Sequence, residues 1–248
     1  MALFEARGLH KRFGDRVVLE EIDLAFEPGT LTGIMGPNGA GKTTCFNCLT
    51  GLYAPDRGRI LFDGADLAGL PPPAITRLGV ARSFQAMNLF NDDSALDNVV
   101  FALPQIRARS FDAWRDRARD RDARERAAAV LERVGLRGRE RIRARDLAYG
   151  ERRALEIGLA LATDPRILFL DEPTSGLGAD GIARLRDLVA ELKRQLTLVI
   201  IEHDMGFLFG LADRINVIHW GQVIARGTPG ELRGNPWVQR SALGAVAC

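Results

Sequence analysis

Residues 36–43 read Gly36-Pro37-Asn38-Gly39-Ala40-Gly41-Lys42-Thr43, with Thr44 next. This G-x-x-x-x-G-K-[ST] spacing constrains the chain more than any other feature, because its glycines let successive backbone N–H groups curl around one point. A mostly apolar run at 31–35 precedes the loop and a helix from about Lys42 follows it, so the pattern predicts strand, loop and helix in that order. A helix start with converging N–H groups favours an anion, and a nucleotide's phosphates are the fitting ligand. Residues 36–44 would then cradle the phosphates, Lys42 would neutralise the β and γ oxygens, and the Thr43 hydroxyl would serve Mg²⁺.

The rest of the chain alternates strand and helix signals around this unit. Residues 3–9 and 16–26 read as an antiparallel pair about a turn at Gly14-Asp15, and residues 59–62 as a further strand. Pro71-Pro72-Pro73 predicts a loop before a short helix and the segment 80–84. From Ser94 to about Val134 the reading is mainly helix, opened by a capping box from Ser94 to Asp97 and continued by Ala123, Ala127, Val130, Leu131 and Val134 at helical spacing. A helix after Gly150, a strand at 167–170, a helix at 181–193 and a strand at 196–201 complete a parallel α/β pattern. Near the end, 216–219 and 223–225 flank Trp220-Gly221-Gln222 as a hairpin, and Thr228-Pro229-Gly230-Glu231 combines a capping box with proline at the first helical position. The expected architecture is one α/β domain over 1–248. Its core, 1–87 with 151–248, includes an N-terminal antiparallel β subdomain, and 88–150 form an inserted α-helical subdomain.

Composition closes off several classes. With 248 residues, 46% of them hydrophobic, the chain can bury a sizeable core. The 34 Lys and Arg against 32 Asp and Glu leave a net charge of +2, too small a field to draw nucleic acid globally. The mixed-sign run at 115–126 and the cluster at 137–145 read as solvated faces. Three cysteines make no disulfide framework, which fits a reducing cytosol. Cys45 and Cys48 lack a second Cys/His pair at zinc spacing and are expected to pack in a core. Residues 1–10 have no signal-peptide pattern, and no run reaches the roughly 18 apolar residues of a membrane span.

Two further constellations carry chemistry. The apolar strand at 167–170 ends in Asp171-Glu172, where an open α/β sheet places its ligand groups. Asp171 would hold Mg²⁺ through water, and Glu172 would orient or deprotonate an attacking water. Leu147-Ala148-Tyr149-Gly150-Glu151 precedes a helix at 152–162, so Gly150 and the free N–H groups there make a second anion site. Since Lys42 already serves this chain's nucleotide, that second site points to another molecule's nucleotide.

Together, the phosphate loop, residues 147–151 and Asp171-Glu172 resemble the ATPases of the ABC family, in the family's order and over nearly the whole chain. The resemblance implies a RecA-like core binding ATP and Mg²⁺, with Gln85 as the Q-loop glutamine and metal contact, His203 as the switch histidine, and Phe13 as the aromatic stacked on adenine. Two positions depart from the pattern. The usual signature serine is Ala148, and Gly178 in the D-loop, Ser175-Gly176-Leu177-Gly178, stands where many relatives have aspartate. Neither removes Lys42, Asp171, Glu172 or His203, so hydrolysis is expected.

The resemblance further implies a head-to-tail pair with a second ABC ATPase subunit, identical or different. It also implies two transmembrane permease subunits, whose coupling helix would dock at 86–98, and a periplasmic binding protein engaged indirectly. The location would be peripheral, on the cytoplasmic face of the inner membrane. Ala81-Arg82-Ser83-Phe84-Gln85, Leu155-Glu156-Ile157-Gly158 and Glu202-His203-Asp204-Met205 are similar to importer ATPases for branched-chain amino acids, while urea, amides and aromatic acids stay open as solutes. The rivals are a soluble ABC protein on ribosomes or DNA and a small-molecule kinase. The first usually needs two cassettes or a long coiled coil, and the second leaves 147–151 and His203 without a role.

Overall fold

The computed structural model describes residues 2–83, 89–104 and 121–235. Apolar alternation builds the first sheet. Strands β1 (Phe4–Phe13) and β2 (Arg16–Phe26) form the expected hairpin, with Phe4 opposite Phe26 and Phe13 opposite Arg16. Strand β3 (Leu31–Met35) leads into the loop and helix α1 (Lys42–Leu49). Strands β4 (Arg57–Phe62) and β5 (Ala65–Asp66) complete an antiparallel sheet of order β2-β1-β4-β5.

The second sheet adds β6 (Val80–Arg82), β7 (Ile167–Asp171), β8 (Thr197–Ile201), β9 (Arg214–His219) and β10 (Gln222–Gly227) to β3, in the order β10-β9-β3-β8-β7-β6. Strands β9, β3, β8, β7 and β6 run parallel, and only β10, the hairpin partner of β9, is antiparallel. Every residue of β3, β7 and β8 is buried, as a sheet covered on both faces requires. The two-residue period still assigns each side chain. Ile34, Phe169, Val199, Ile201 and Ile218 join a core with α1 and the antiparallel sheet, whereas Leu168, Leu170, Leu198, Ile200 and Val217 join the helical core opposite.

That opposite layer contains α3 (Ala95–Ala102), α4 (Arg121–Arg133), α5 (Tyr149–Leu161), α6 (Ala179–Leu192) and α7 (Met205–Leu211). A short α2 (Pro72–Arg77) and α8 (Pro229–Arg233) sit at loop exits. Buried Ala123, Ala127, Val130 and Leu131 give α4 the expected apolar face. Cys45 and Cys48 are buried in the core around α1, and burial pushes the Cys48 thiol up to about 11 and Cys45 higher still.

Several boundaries differ from the sequence reading. Pro72 and Pro73 begin α2 rather than preceding it, because proline is tolerated in a first turn whose N–H groups have no partner. At α3, Ser94 caps as expected by accepting from the Asp97 N–H at 3.1 Å. The Asp97 carboxylate instead takes the Ser94 hydroxyl and the Arg124 guanidinium, the latter at 3.1 Å. Helix α7 had no sequence counterpart; Asp204 starts it by accepting from the Phe207 N–H at 3.0 Å. The Thr228 box forms in full, with the Thr228 N–H donating to Glu231 Oε2 at 2.7 Å and Thr228 Oγ1 accepting from the Glu231 N–H at 3.3 Å.

Phe169 ties the layers together. Its ring lies 5.3 Å from that of Phe4, 5.9 Å from Phe26 and 5.6 Å from Phe46, all edge-on, so β7, the antiparallel sheet and α1 meet on one side chain. Phe169→Ala is expected to cost about 3–5 kcal/mol of stability, read as a lower midpoint in denaturant unfolding.

Candidate active site

Parallel pairing fixes where the chemistry lies. Because β9, β3, β8 and β7 run in one direction, the segments leaving their C-terminal ends emerge on one edge: 36–41, 172–176, 202–204 and 219–221. Glycine is needed at two points of the first. Gly36 has φ 152°, and a Cβ there would overlap the Ile218 carbonyl; Gly41 has φ 99°, and its Cβ would lie 2.8 Å from the Val18 carbonyl. The loop is thus seated against β9 and β2, and the Gly221 N–H donates to the Ala40 carbonyl at 2.9 Å.

Lys42 opens α1 and is 6% exposed, with Nζ donating to the carbonyls of Gly36 at 2.8 Å and Pro37 at 3.0 Å. Burial pulls its ammonium below the ordinary value, against the opposing pull of the Glu172 and Asp171 carboxylates. Asp171, at the end of β7, is 2% exposed, and burial raises its carboxyl above the ordinary range despite Arg82 nearby. Arg82 Nη2 lies 4.0 Å from Asp171 Oδ2, which accepts no hydrogen bond. The Arg82 guanidinium is held by Asn47 Oδ1 at 2.9 Å and Thr50 Oγ1 at 3.0 Å, over the Phe46 ring at 4.8 Å. Glu172 follows in the left-handed region at φ 43°, its N–H bonded to the Ile201 carbonyl at 2.9 Å.

The next loop is organised by Glu202, which is fully buried. It accepts from Thr174 N–H at 2.7 Å, Thr174 Oγ1 at 2.6 Å and His203 N–H at 3.1 Å, tying the segment after Glu172 to the one carrying His203. The His203 imidazole stays largely exposed, with Nδ1 3.8 Å from Glu202 Oε2. Sequence reading assigned no role to Glu202, Arg82 or Arg153. An acid directly after an apolar strand and before His203 was the available signal for Glu202.

Residues 147–151 form a helix start, as expected, but α5 begins at Tyr149, so Gly150 is its second residue. Ala148 is the N-cap in extended conformation. Its N–H donates to Glu151 Oε2 at 2.9 Å, and Glu151 Oε1 also pairs with Arg139 at 2.9 Å. With no side-chain oxygen, Ala148 cannot complete a reciprocal box, and the first-turn N–H groups stay available to an anion. Tyr149 donates to the Ser175 carbonyl at 3.2 Å, linking this segment to the D-loop, and Gly178 starts α6 without a side-chain cap. A cleft of about 570 Å³ lies between Ala148, Gly150, Leu136, Leu177 and Leu188; no phosphate-loop residue lines it, so it is a separate feature from the Lys42 site.

Phe13 is 46% exposed, edge-on to Tyr53 at 5.5 Å, on the same hairpin as Val18. Gln85 lies outside the described residues. Lys42, Asp171, Glu172 and His203 therefore share one sheet edge, with the 147–151 helix start bonded to the D-loop beside it.

A parallel sheet with this loop and these carboxylates defines a phosphate-loop nucleoside-triphosphatase. The family described as ABC transporter matches residues 19–175, and the chain belongs to that family and is one of its ATPases. It is 41% identical to the high-affinity branched-chain amino acid transport ATP-binding protein LivG of Escherichia coli, over 98% of each chain. It is equally 41% identical, at the same coverage, to BraF of Pseudomonas aeruginosa, which carries the same description. The lipopolysaccharide export ATP-binding protein LptB of Acidithiobacillus ferridurans is 32% identical over 98% of this chain and 97% of its own. A nucleotide-free ATP-binding cassette from an ABC transporter superposes with a TM-score of 0.88 at 27% identity, covering 98% of this chain and 100% of that one. An ADP conformation of such a cassette gives 0.87 at 27% identity, over 98% and 99%.

Two outcomes follow from this geometry. Ala148→Ser should supply the missing acceptor for the Glu151 N–H and add about 1 kcal/mol of stability, a rise of about 2–4 °C in Tm by calorimetry. Lys42→Met should weaken ATP binding by roughly tenfold or more, the worth of a hydrogen bond to a charged group, in a nucleotide titration.

Proposed function

We propose that this chain is the ATP-hydrolysing subunit of a membrane importer for branched-chain amino acids, working as half of a head-to-tail ATPase pair. The observation that carries the solute class is the 41% identity, over 98% of each chain, to LivG and BraF. The reading of the site rests on Lys42, Asp171, Glu172 and His203 meeting at one sheet edge.

ATP would lie with its phosphates in the loop 36–44 and its adenine against Phe13. Asp171 suits Mg²⁺: its Oδ2 is buried without a hydrogen-bond donor, and this metal is held by one or two carboxylates plus phosphates and water rather than by a protein cage. Thr43 and Gln85 would be its other protein contacts. Bound there, the metal would neutralise charge on the β and γ oxygens. Glu172 would orient or deprotonate the attacking water, and His203 would face the γ-phosphate. The 147–151 helix start would hold the second subunit's nucleotide through backbone N–H groups, Ala148 having no hydroxyl to give. Cleavage would then remove the group both subunits grip, and the pair would open.

The division into a core, 1–87 with 151–248, and a helical subdomain, 88–150, would group α3 with α4, both packed on α5 of the core. Within that subdomain Asn98 fixes the segment before α3: Oδ1 accepts from the Phe90 N–H at 2.8 Å, and Nδ2 donates to the Phe90 and Ser94 carbonyls. Phe90 is held there 52% exposed, a suitable dock for a permease's coupling helix. No helix among the described residues is long and apolar enough to cross a membrane, so attachment would be peripheral, through permease subunits, with a periplasmic binding protein reached only through them.

The match to LptB shows that similar cassettes carry other descriptions, and the second reading is an importer for another small solute, urea and amides included. Copurification with permease subunits and stimulation of turnover by leucine rather than urea or amides would support the first reading; recovery only with ribosomes or DNA would sink both. Glu172→Gln is expected to lower turnover at least about a hundredfold while ATP is retained and the pair stays closed on size-exclusion chromatography. Unchanged hydrolysis would show that another group handles the water.

A further inference from the structure

The helix that begins with the signature segment also reaches the catalytic strand. From the first half of α5, Arg153 extends to the end of β7, where Nη2 donates to two successive carbonyls, Asp171 at 2.7 Å and Glu172 at 3.1 Å. Nη1 of the same guanidinium pairs with Glu156 Oε2 at 2.9 Å, with Arg153 and Glu156 each 5% exposed. A planar guanidinium can serve two carbonyls and a carboxylate at once, which a lysine ammonium on its flexible stem cannot reproduce.

The carbonyls concerned flank the backbone of Glu172. That residue sits at φ 43°, a conformation a non-glycine side chain holds only where the surroundings impose it. Its N–H is fixed by the Ile201 carbonyl of β8 at 2.9 Å and its own carbonyl by Arg153. The left-handed turn that aims Glu172 is thus pinned from two sides, by β8 and by α5. Charge neutralisation of Glu156 alone would require neither carbonyl bond.

We infer that Arg153 is a positioning residue for ATP hydrolysis: by holding the Asp171-Glu172 peptide it sets the Glu172 carboxylate on its water and makes that setting follow the placement of α5. This rests on the reading of Glu172 as the group that handles the water. The α5 start at Ala148 and Tyr149, assigned to the second subunit's nucleotide, lies little more than one turn from Arg153. A shift of α5 on gripping that nucleotide therefore moves the carbonyls of this chain's own site, and each site reports its state to the other through two hydrogen bonds.

The test uses the full chain in three forms besides the parent. Arg153→Lys keeps a charge beside Glu156 but loses the fork; Arg153→Met with Glu156→Gln removes both buried charges together, so neither is stranded; Glu172→Gln is the separate control. Both Arg153 forms are expected to lose about ten- to a hundredfold in kcat, the size of effect that small misplacement of a catalytic group produces. KM for ATP and nucleotide binding should stay within about twofold. Adding Arg153→Lys to Glu172→Gln should lower the residual single-turnover rate no further, because the positioned group is already gone. Arg153→Lys with kcat within about twofold of the parent, or a loss that multiplies with that of Glu172→Gln, would overturn the inference, and Arg153→Lys decides alone if the double form fails to fold. Unchanged turnover in Glu172→Gln would instead remove the underlying reading and the inference with it.

Discussion

The contact on which this structure depends is the seating of the loop at 36–41 against the end of β9. The Ile218 carbonyl occupies the space a Cβ at Gly36 would need, and the Gly221 N–H holds the Ala40 carbonyl at 2.9 Å. A loop of N–H groups can receive phosphate only if its own carbonyls are turned away and satisfied elsewhere. Here the Gly221 N–H after β9 takes the Ala40 carbonyl, and Lys42 Nζ and the Ala40 N–H take those of Gly36 and Pro37, while Asn38 and Gly39 stay exposed. The sheet order follows as a requirement: β3 must lie between β8 and β9 for the loop to be braced on one side and face the carboxylates on the other.

How much of this was legible depends on the range of the interaction that decides each feature. The phosphate loop was readable because its backbone needs glycine at fixed spacing, and Thr228 with Glu231 was readable because a cap is satisfied within four residues. The uniformly apolar β7 and β8 announced burial but not which face each residue takes, since Leu168 and Phe169 differ only in the layer they meet. Arg153, Glu202 and Arg82 escaped notice for the opposite reason. Each has a deciding partner 18 or more residues away, and in sequence a charged side chain on a helix such as Arg153 looks like a solvated one. Pro72 and Pro73 misled because three prolines signal a break, and the helix starts two residues earlier than the run suggests.

The buried charges share one arrangement. Arg82 faces Asp171, Arg153 pairs Glu156, and Glu202 collects N–H and hydroxyl donors from two loops. Such groups cost several kcal/mol each to desolvate, and apolar replacements of equal volume are often as stable. Stability is therefore a poor reason for their presence. Orientation is a better one for two of them, which fix backbone that bears a proposed catalytic residue: Arg153 the peptide of Glu172, and Glu202 the N–H of His203.

The same economy bears on what the chain leaves to its partners. On the proposed reading every group that handles phosphate belongs to the sheet edge or the α5 start, while the exposed Phe90 before α3 is anchored by Asn98 and its neighbour Asn91 accepts from Arg152 of α5 at 3.0 Å. The proposed dock and the proposed nucleotide site then meet on α5, which bonds Asn91 through Arg152 and the Asp171 carbonyl through Arg153. Relatives as different in description as an amino acid transport subunit and a lipopolysaccharide export subunit both match this chain over 98% of its length. On the proposed reading the solute is contacted by other subunits, and coupling to ATP would run through the placement of α3 and α5 against the strands they cover.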